Sequence, residues 1–324
     1  MFLLENKGQM RLFYRVFFGN IQAGAVFFAL LSIVATACST AGRQDSDKLN
    51  IVCTTGMIGD ALTHIAGDAA QVTALMGPGV DPHLYKPTQG DLGLLSQADV
   101  IVYNGLHLEG KMGEVLKKLS RTKKVIAMGA LLPPELLRHP EGDPEAHDPH
   151  IWFDVSLWAR AVRAVGEQLA QTDSSNAAIF RSHTASYAAQ LDSLHQRVQQ
   201  QIASIPADQR VLVTAHDAFG YFGRAYQLEV HGLQGISTAS EYGLRDVSDM
   251  VNFLTERKIK AVFVETSVPA KSLEAVLEGC SRRGHQIRIG GHLYSDAMGE
   301  KGSPEGTYIG MVEANVAAMV GGLR

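Results

Sequence analysis

From Leu49 onward, short apolar runs alternate with segments whose apolar residues recur every three or four positions. LNIVCTT, AAQVTALM, DVIVYNG and KKVIAM have the length and branched residues of strands. Between them lie MIGDALTHIAG, GDLGLLSQA and MGEVLKKLS, which carry a helical period. Parallel strands need a crossover to return the chain to the same edge, so this alternation predicts a parallel sheet flanked by helices. A loop with Pro, Glu and His, Gly129 to Pro149, then leads into the helical segment VSLWARAVRAVGEQLAQ.

Asn176 to Ile205 contains neither Gly nor Pro. As one helix it would extend about 45 Å, more than a crossover inside a small lobe requires. It reads as a spine between lobes, with a helix lying along one domain as the competing reading. After Pro206 the alternation restarts with RVLVTA, LEVHG, AVFVET and QIRIG as strands. AFGYFGRAY, VSDMVNFLTERK and SLEAVLEGCSRR are the intervening helices, and TYIGMVEANVAAMVGGL closes the chain. The expected fold is therefore α/β, with two lobes that each hold a mostly parallel sheet flanked by helices. One long rigid helix, 174–205, links lobes at 49–173 and 206–324.

The first 48 residues break this pattern. Arg11 and Arg15 precede an apolar run from Ala23 to Val34 that ends in Ala35-Thr36-Ala37-Cys38. This is the layout of an export signal, and the run is too short for a comfortable membrane span. A cysteine directly after small residues resembles a bacterial lipobox, although Ala35 stands where that pattern most often has leucine. Residues 1–37 are thus expected to be a lipoprotein signal peptide, with Cys38 the lipidated first residue and 38–48 a flexible tether. An ordinary secreted protein is the alternative. Loss of Lys7, Arg11, Arg15 and Glu5 moves the formal charge from −4 to −6. Neither value gives a basic footprint, so nucleic acid is not an expected partner. Cys53 and Cys280 read as buried free thiols rather than a disulfide framework.

Ligands of α/β sheets gather at the carboxyl ends of strands. Four polar residues fall there or in adjacent loops: His83 in VDPHLYKPT, His150 in DPHIWFD, His216 in TAHDAFGYFG and Asp296 in HLYSDAMG. Three imidazoles and a carboxylate make a plausible tetrahedral set for a borderline cation such as zinc. Each Asp-Pro-His tripeptide also places a proline that stiffens the backbone beside its histidine. Spacing does not decide the matter, because donors tens of residues apart form no local pattern such as CxxC or HExxH. Each histidine taken singly reads better as a hydrogen-bonded loop or core residue.

The ordered set GPGVDPHLYKPT, DPHIWFD, TAHDAFGYFG, FVETSV and LYSDAMG closely resembles the solute-binding proteins of bacterial zinc and manganese ABC transporters, the cluster A-I or TroA-like family. The likeness runs from about Leu49 to the C-terminus. It implies two lobes on one rigid helix, a divalent metal in the cleft, and delivery to a membrane permease by a monomeric, membrane-anchored protein. Carried over position by position, the implied metal ligands are His83, His150, His216 and Asp296. Manganese-type members commonly have glutamate where this chain has His216, so the resemblance favours Zn2+, with Mn2+ or mixed specificity behind it. Zinc members often carry a long His- and acid-rich loop; here HPEGDPEAHDPH is short and adds only His139 and His147.

Glu265, closing the strand AVFVET, is a candidate to hydrogen-bond a ligand imidazole and fix its tautomer. Asp217 reads as a cap for the following helix. Trp152, Phe153, Phe219 and Tyr221 are expected to pack around the cleft, and the remaining histidines to pack or face solvent. Neither HExxH nor GxSxG is present, and four protein ligands leave a tetrahedral metal no position for water, so an enzyme is not expected. An adhesin role, claimed for some relatives, has no independent support in these residues.

Overall fold

The computed structural model describes residues 48–140 and 143–324. The expected signal peptide and the lipidation site Cys38 lie outside the described residues. Leu49–Arg324 forms one compact unit. In its first lobe β1 (Leu49–Cys53), β2 (Ala70–Ala74), β3 (Val100–Tyr103) and β4 (Lys124–Ala127) build a parallel sheet in the order β2-β1-β3-β4. The crossovers are α1 (Gly56–Ala66), α2 (Gln89–Gln97) and α3 (Gly113–Leu119). Strand alternation divides the side chains cleanly between the two faces. Ile51, Cys53, Val100 and Val102 enter one core, and Val52 and Ile101 enter another with Leu95 and Leu116.

In the second lobe β5 (Val211–His216) pairs in parallel with β6 (Glu229–Gln234), and β7 (Ala261–Glu265) with β8 (Arg288–Leu293). β5 and β7 run side by side. The connecting helices are α6 (Gly220–Tyr226), α7 (Leu244–Glu256) and α8 (Lys271–Arg282). Val211, Val213, Val262 and Val264 meet α7 and α8 in a core of their own, whereas Leu212 and Phe263 join the core that begins in the first lobe.

That shared core is built on α4 (Val155–Thr172), α5 (Ala177–Ala203) and α9 (Tyr308–Leu323). Asp154 caps α4 by accepting the amides of Ser156 and Leu157. α5 has 27 residues, so it is about 40 Å long. It buries Phe180, Tyr187, Leu191, Leu194, Val198 and Ile202 at helical spacing. Its first half bonds the first lobe, Tyr187 Oη donating to Asp60 on α1 at 2.7 Å. Its second half reaches the second lobe through His195 Nδ1 and Tyr226 Oη at 3.0 Å, and Arg197 with Glu313 on α9 at 2.8 Å. α4 and α5 approach closely because residue 166 is Gly; a Cβ there would lie 2.1 Å from Thr184 Oγ1. Cys53 and Cys280 are buried free thiols. Among the described residues no helix is long and apolar enough to cross a membrane.

Candidate metal centre

Four strand ends or the loops after them converge between the lobes. His83 lies in the loop beyond β2, and His150 precedes a single 3-10 turn, Ile151–Phe153, that leads into α4. His216 is the last residue of the fully buried strand β5, and Asp296 follows β8. One donor atom from each lies within 4.8 Å of the others, and all four side chains are buried. His83 Nε2 stands 3.4 Å from His150 Nε2 and 3.6 Å from Asp296 Oδ2. His150 Nε2 is 3.4 Å from Asp296 Oδ1, and His216 Nε2 is 3.4 Å from Asp296 Oδ2.

The outer faces of two rings are held by carboxylates. Glu265, the last residue of β7, accepts the His216 amide at 2.8 Å and pairs with its Nδ1 at 2.5 Å. Asp148 accepts the His150 amide at 3.0 Å, pairs with its Nδ1 at 2.8 Å, and is itself held by Arg138 Nη1 at 2.7 Å. Nδ1–H donation on the outside leaves Nε2 as a lone-pair donor pointing inward. His83 has no such partner: Asp81 Oδ1 accepts its amide at 2.9 Å, and among the described residues its Nδ1 makes no hydrogen bond.

Electrostatics follow these partners. Burial pushes the His83 imidazole down to about 4, with Asp296 offsetting only part of the effect. Burial acts the same way on His150, but Asp148 and Asp296 outweigh it and carry the ring up to about 9. His216, equally buried, is raised well above its ordinary value by Glu265 and Asp296. Burial acts upward on Asp296, yet His216 and His150 hold its carboxyl well below the usual range. His216 Nε2 and both Asp296 oxygens are buried without a hydrogen-bond partner among the described residues. A buried carboxylate without hydrogen bonds is expensive, and a cation among these donors would relieve that cost.

Trp152, Phe153, Phe219 and Tyr221 are all buried: the Trp152 ring centroid lies 5.3 Å from that of His150, Tyr221 bonds Asp148 O, and the Phe153 and Phe219 centroids are 4.2 Å apart. His139 and His147 lie outside the cluster, their rings 4.7 Å apart, and His139 Nδ1 pairs with Ala146 O. Asp217 does not cap the next helix: Phe219 is the N-cap of α6 and makes no side-chain cap bond. Asp217 precedes the helix by too much, because two residues of turn intervene before the first helical amide. Sequence reasoning missed Asp148, Asp81, Arg138 and Thr238, and expected Tyr221 near the cleft without its bond to Asp148. The one available signal was the aspartate of each Asp-Pro-His, a residue that readily accepts the amide two positions on.

Fold and site together define a class: a two-lobed α/β binding protein that gathers three imidazoles and a carboxylate between its lobes. A model of the zinc-uptake complex component A periplasmic family matches residues 51–322, and the chain belongs to that family. The manganese-binding lipoprotein MntA of Bacillus subtilis strain 168 is 48% identical over 300 residues, covering 93% of this chain and 98% of that one. The zinc-binding protein TroA of Treponema pallidum is 48% identical over 274 residues, covering 84% of this chain and 88% of that one. The solved structure of the periplasmic zinc-binding protein TroA from Treponema pallidum matches with a TM-score of 0.83, covering 85% of this chain and 99% of that one.

Proposed function

We propose that this protein captures a divalent metal between its lobes with His83, His150, His216 and Asp296, and delivers it to the membrane permease of an ABC transporter. One observation carries the reading. Four contacts among the donors are 3.4–3.6 Å, Asp296 using Oδ1 toward His150 and Oδ2 toward His83 and His216, and one donor atom from each residue lies within 4.8 Å of the others. A tetrahedral ion with bonds of about 2.0–2.1 Å has donor–donor edges of about 3.3–3.4 Å. The donors are already gathered, and small shifts of the rings and the carboxylate bring them to those edges, so the ordering cost of binding is low.

Zinc is the proposed cargo. Three nitrogen donors suit a borderline ion better than manganese, which prefers oxygen. The relatives' names divide, one manganese-binding and one zinc-binding at the same 48% identity, so a manganese-preferring or mixed protein is the second reading. Four protein donors leave no place for a reactive water at tetrahedral geometry, which favours a carrier over a metallohydrolase. An adhesin-like surface role would leave this buried site without a purpose.

The rest of the reading follows the chain. Residues 1–37 direct export, lipidated Cys38 anchors the protein in the cell envelope, and 38–48 tether lobes at 49–173 and 206–324 through the helix at 174–205. Relatives named lipoproteins support the anchor. The protein acts as a monomer, and the core shared by both lobes and α5 supports local rearrangement over a wide hinge motion. Competitive titration of the signal-less protein tests the cargo: one ion per chain is expected, with zinc ahead of manganese, and His216→Glu should narrow that gap. A protein that takes up neither metal would end the reading.

A further inference from the structure

Among the side-chain hydrogen bonds that join the lobes close to the cluster, three bear on the ligand loops. Trp152 Nε1 donates to Ser295 O at 3.0 Å, beside His150 on one side and Asp296 on the other. Tyr221 Oη donates to Asp148 O at 3.0 Å and accepts the Arg138 amide at 2.9 Å. Thr238 Oγ1 donates to Asp81 Oδ2 at 2.6 Å, two residues before His83. The first two are made by aromatic side chains sealed in the shared core, with Trp152 1% and Tyr221 0% exposed. The third is different. Thr238 is half-buried on the loop between β6 and α7, and Gln234 Nε2 steadies that loop by donating to the carbonyls of Thr238 and Ser240.

Of the three histidines, His83 also has the least support. Its ring has no carboxylate behind it, and its amide is fixed only by the aspartate that Thr238 holds. We infer that Thr238 is a positioning residue, a latch that acts through Asp81 to keep His83 on the metal, and that release begins at this corner. The inference rests on the metal-binding reading above. When the loop swings away, Asp81 loses its second partner and the turn carrying His83 loosens. His150 and His216 stay fixed by Asp148 and Glu265, so the departing ion loses the His83 ring before the other two imidazoles.

The test uses the full chain loaded with zinc and mixed with excess chelator. Thr238→Val, nearly isosteric but without the hydroxyl, should release zinc about fivefold faster, the loss expected of one hydrogen bond. Association should be unchanged and Thr238→Ser should behave as wild type. Asp81→Ala should release faster still, and adding Thr238→Val to it should change nothing, because the two act as one unit. In the metal-free chain, amide exchange across Val80–Tyr85 should rise in Thr238→Val while Ile151–Phe153 stays protected. Release at the wild-type rate, additivity with Asp81→Ala, or equal loosening of both segments would overturn the latch. A wild-type chain that loads no zinc would instead overturn the metal-binding reading.

Discussion

The tripeptide Asp-Pro-His occurs twice, at 81–83 and 148–150, and the protein uses the two copies differently. In both, the aspartate accepts the amide of the histidine two residues on, at 2.9 Å and 3.0 Å. The local turn is the same. Beyond it the copies part. Asp148 also holds the ring of its own histidine and is neutralised by Arg138. Asp81 spends its second oxygen on Thr238 of the other lobe and leaves the His83 ring alone. His150 is consequently carried up to about 9, while burial takes His83 down to about 4. Local sequence sets the backbone of a ligand; partners from elsewhere in the fold set its affinity for a proton.

The widest consequence is a pH dependence that separates the two copies. In the metal-free protein at neutral pH, His150 and His216 carry protons because their values are raised, and His83 does not. A metal must displace both protons, so lowering the pH weakens binding. Between pH 6 and 8 the logarithm of affinity should rise by about two per pH unit, not level off near the ordinary imidazole value. Buffered chelator competition measures the slope. His150→Ala should reduce it to about one per unit, whereas His83→Ala should leave it near two while weakening binding. Equal slopes in the two variants would erase the distinction.

A smaller effect separates the two aspartates. Asp148→Asn removes the anion that orients His150 and strands Arg138, and should weaken zinc by about 10–100-fold. Asp81→Asn keeps an acceptor for the His83 amide, can donate from its Nδ2 to Thr238 Oγ1 in place of accepting from it, and touches no ring, so its equilibrium cost should stay within about threefold. Competition titrations of the two variants in parallel give the ratio. Next in size is Tyr221→Phe, which removes the hydroxyl that ties Asp148 O to the Arg138 amide and should cost about fivefold. If Asp81→Asn were as damaging as Asp148→Asn, the two turns would be equivalent after all.

How much of this was legible along the chain follows from how local each feature is. β1, β3, β5 and β7 could be read as apolar runs because none of them has an exposed residue, and β5 and β7 are buried throughout. α5 could be read from a stretch without Gly or Pro: its ends at Ala177 and Ala203 fall one and two residues inside Asn176–Ile205, and its start three residues after the expected 174. The four donors come from four distant segments, so no spacing announces them, and only the ordered motifs of the family resemblance gathered them. Asp148 sat inside a quoted motif, but the neighbouring proline already accounted for the stiffness. Arg138, Tyr221 and Thr238 reach their partners across 10, 73 and 157 positions, where no local pattern extends. Asp217 shows the opposite error, since adjacency suggested a cap that the turn geometry does not make.

The finest test concerns a first-lobe segment that touches the backbone of both tripeptides, Asn104–Gly110. Buried Glu109 shapes it by accepting the Asn104 amide at 2.6 Å, Thr54 Oγ1 at 2.9 Å and the Gly105 amide at 3.1 Å. Asn104 Nδ2 then donates to Pro149 O at 2.9 Å, steadying the His150 copy through a side chain. The His83 copy is met by backbone instead: Gly110 has φ +33°, and a Cβ there would lie 2.5 Å from His83 O. Gly110→Ala must therefore strain the loop or push His83, at a cost of about 1–3 kcal/mol. At about 2–4 °C per kcal/mol, the Tm should fall by several degrees. The strain is present with and without metal, so most of it cancels from binding, and affinity should drop by less than about threefold. A Tm series with and without zinc checks both halves. A loss of affinity above tenfold at unchanged Tm would mean that the His83 corner cannot yield, and the contrast between a fixed His150 and a compliant His83 would fail.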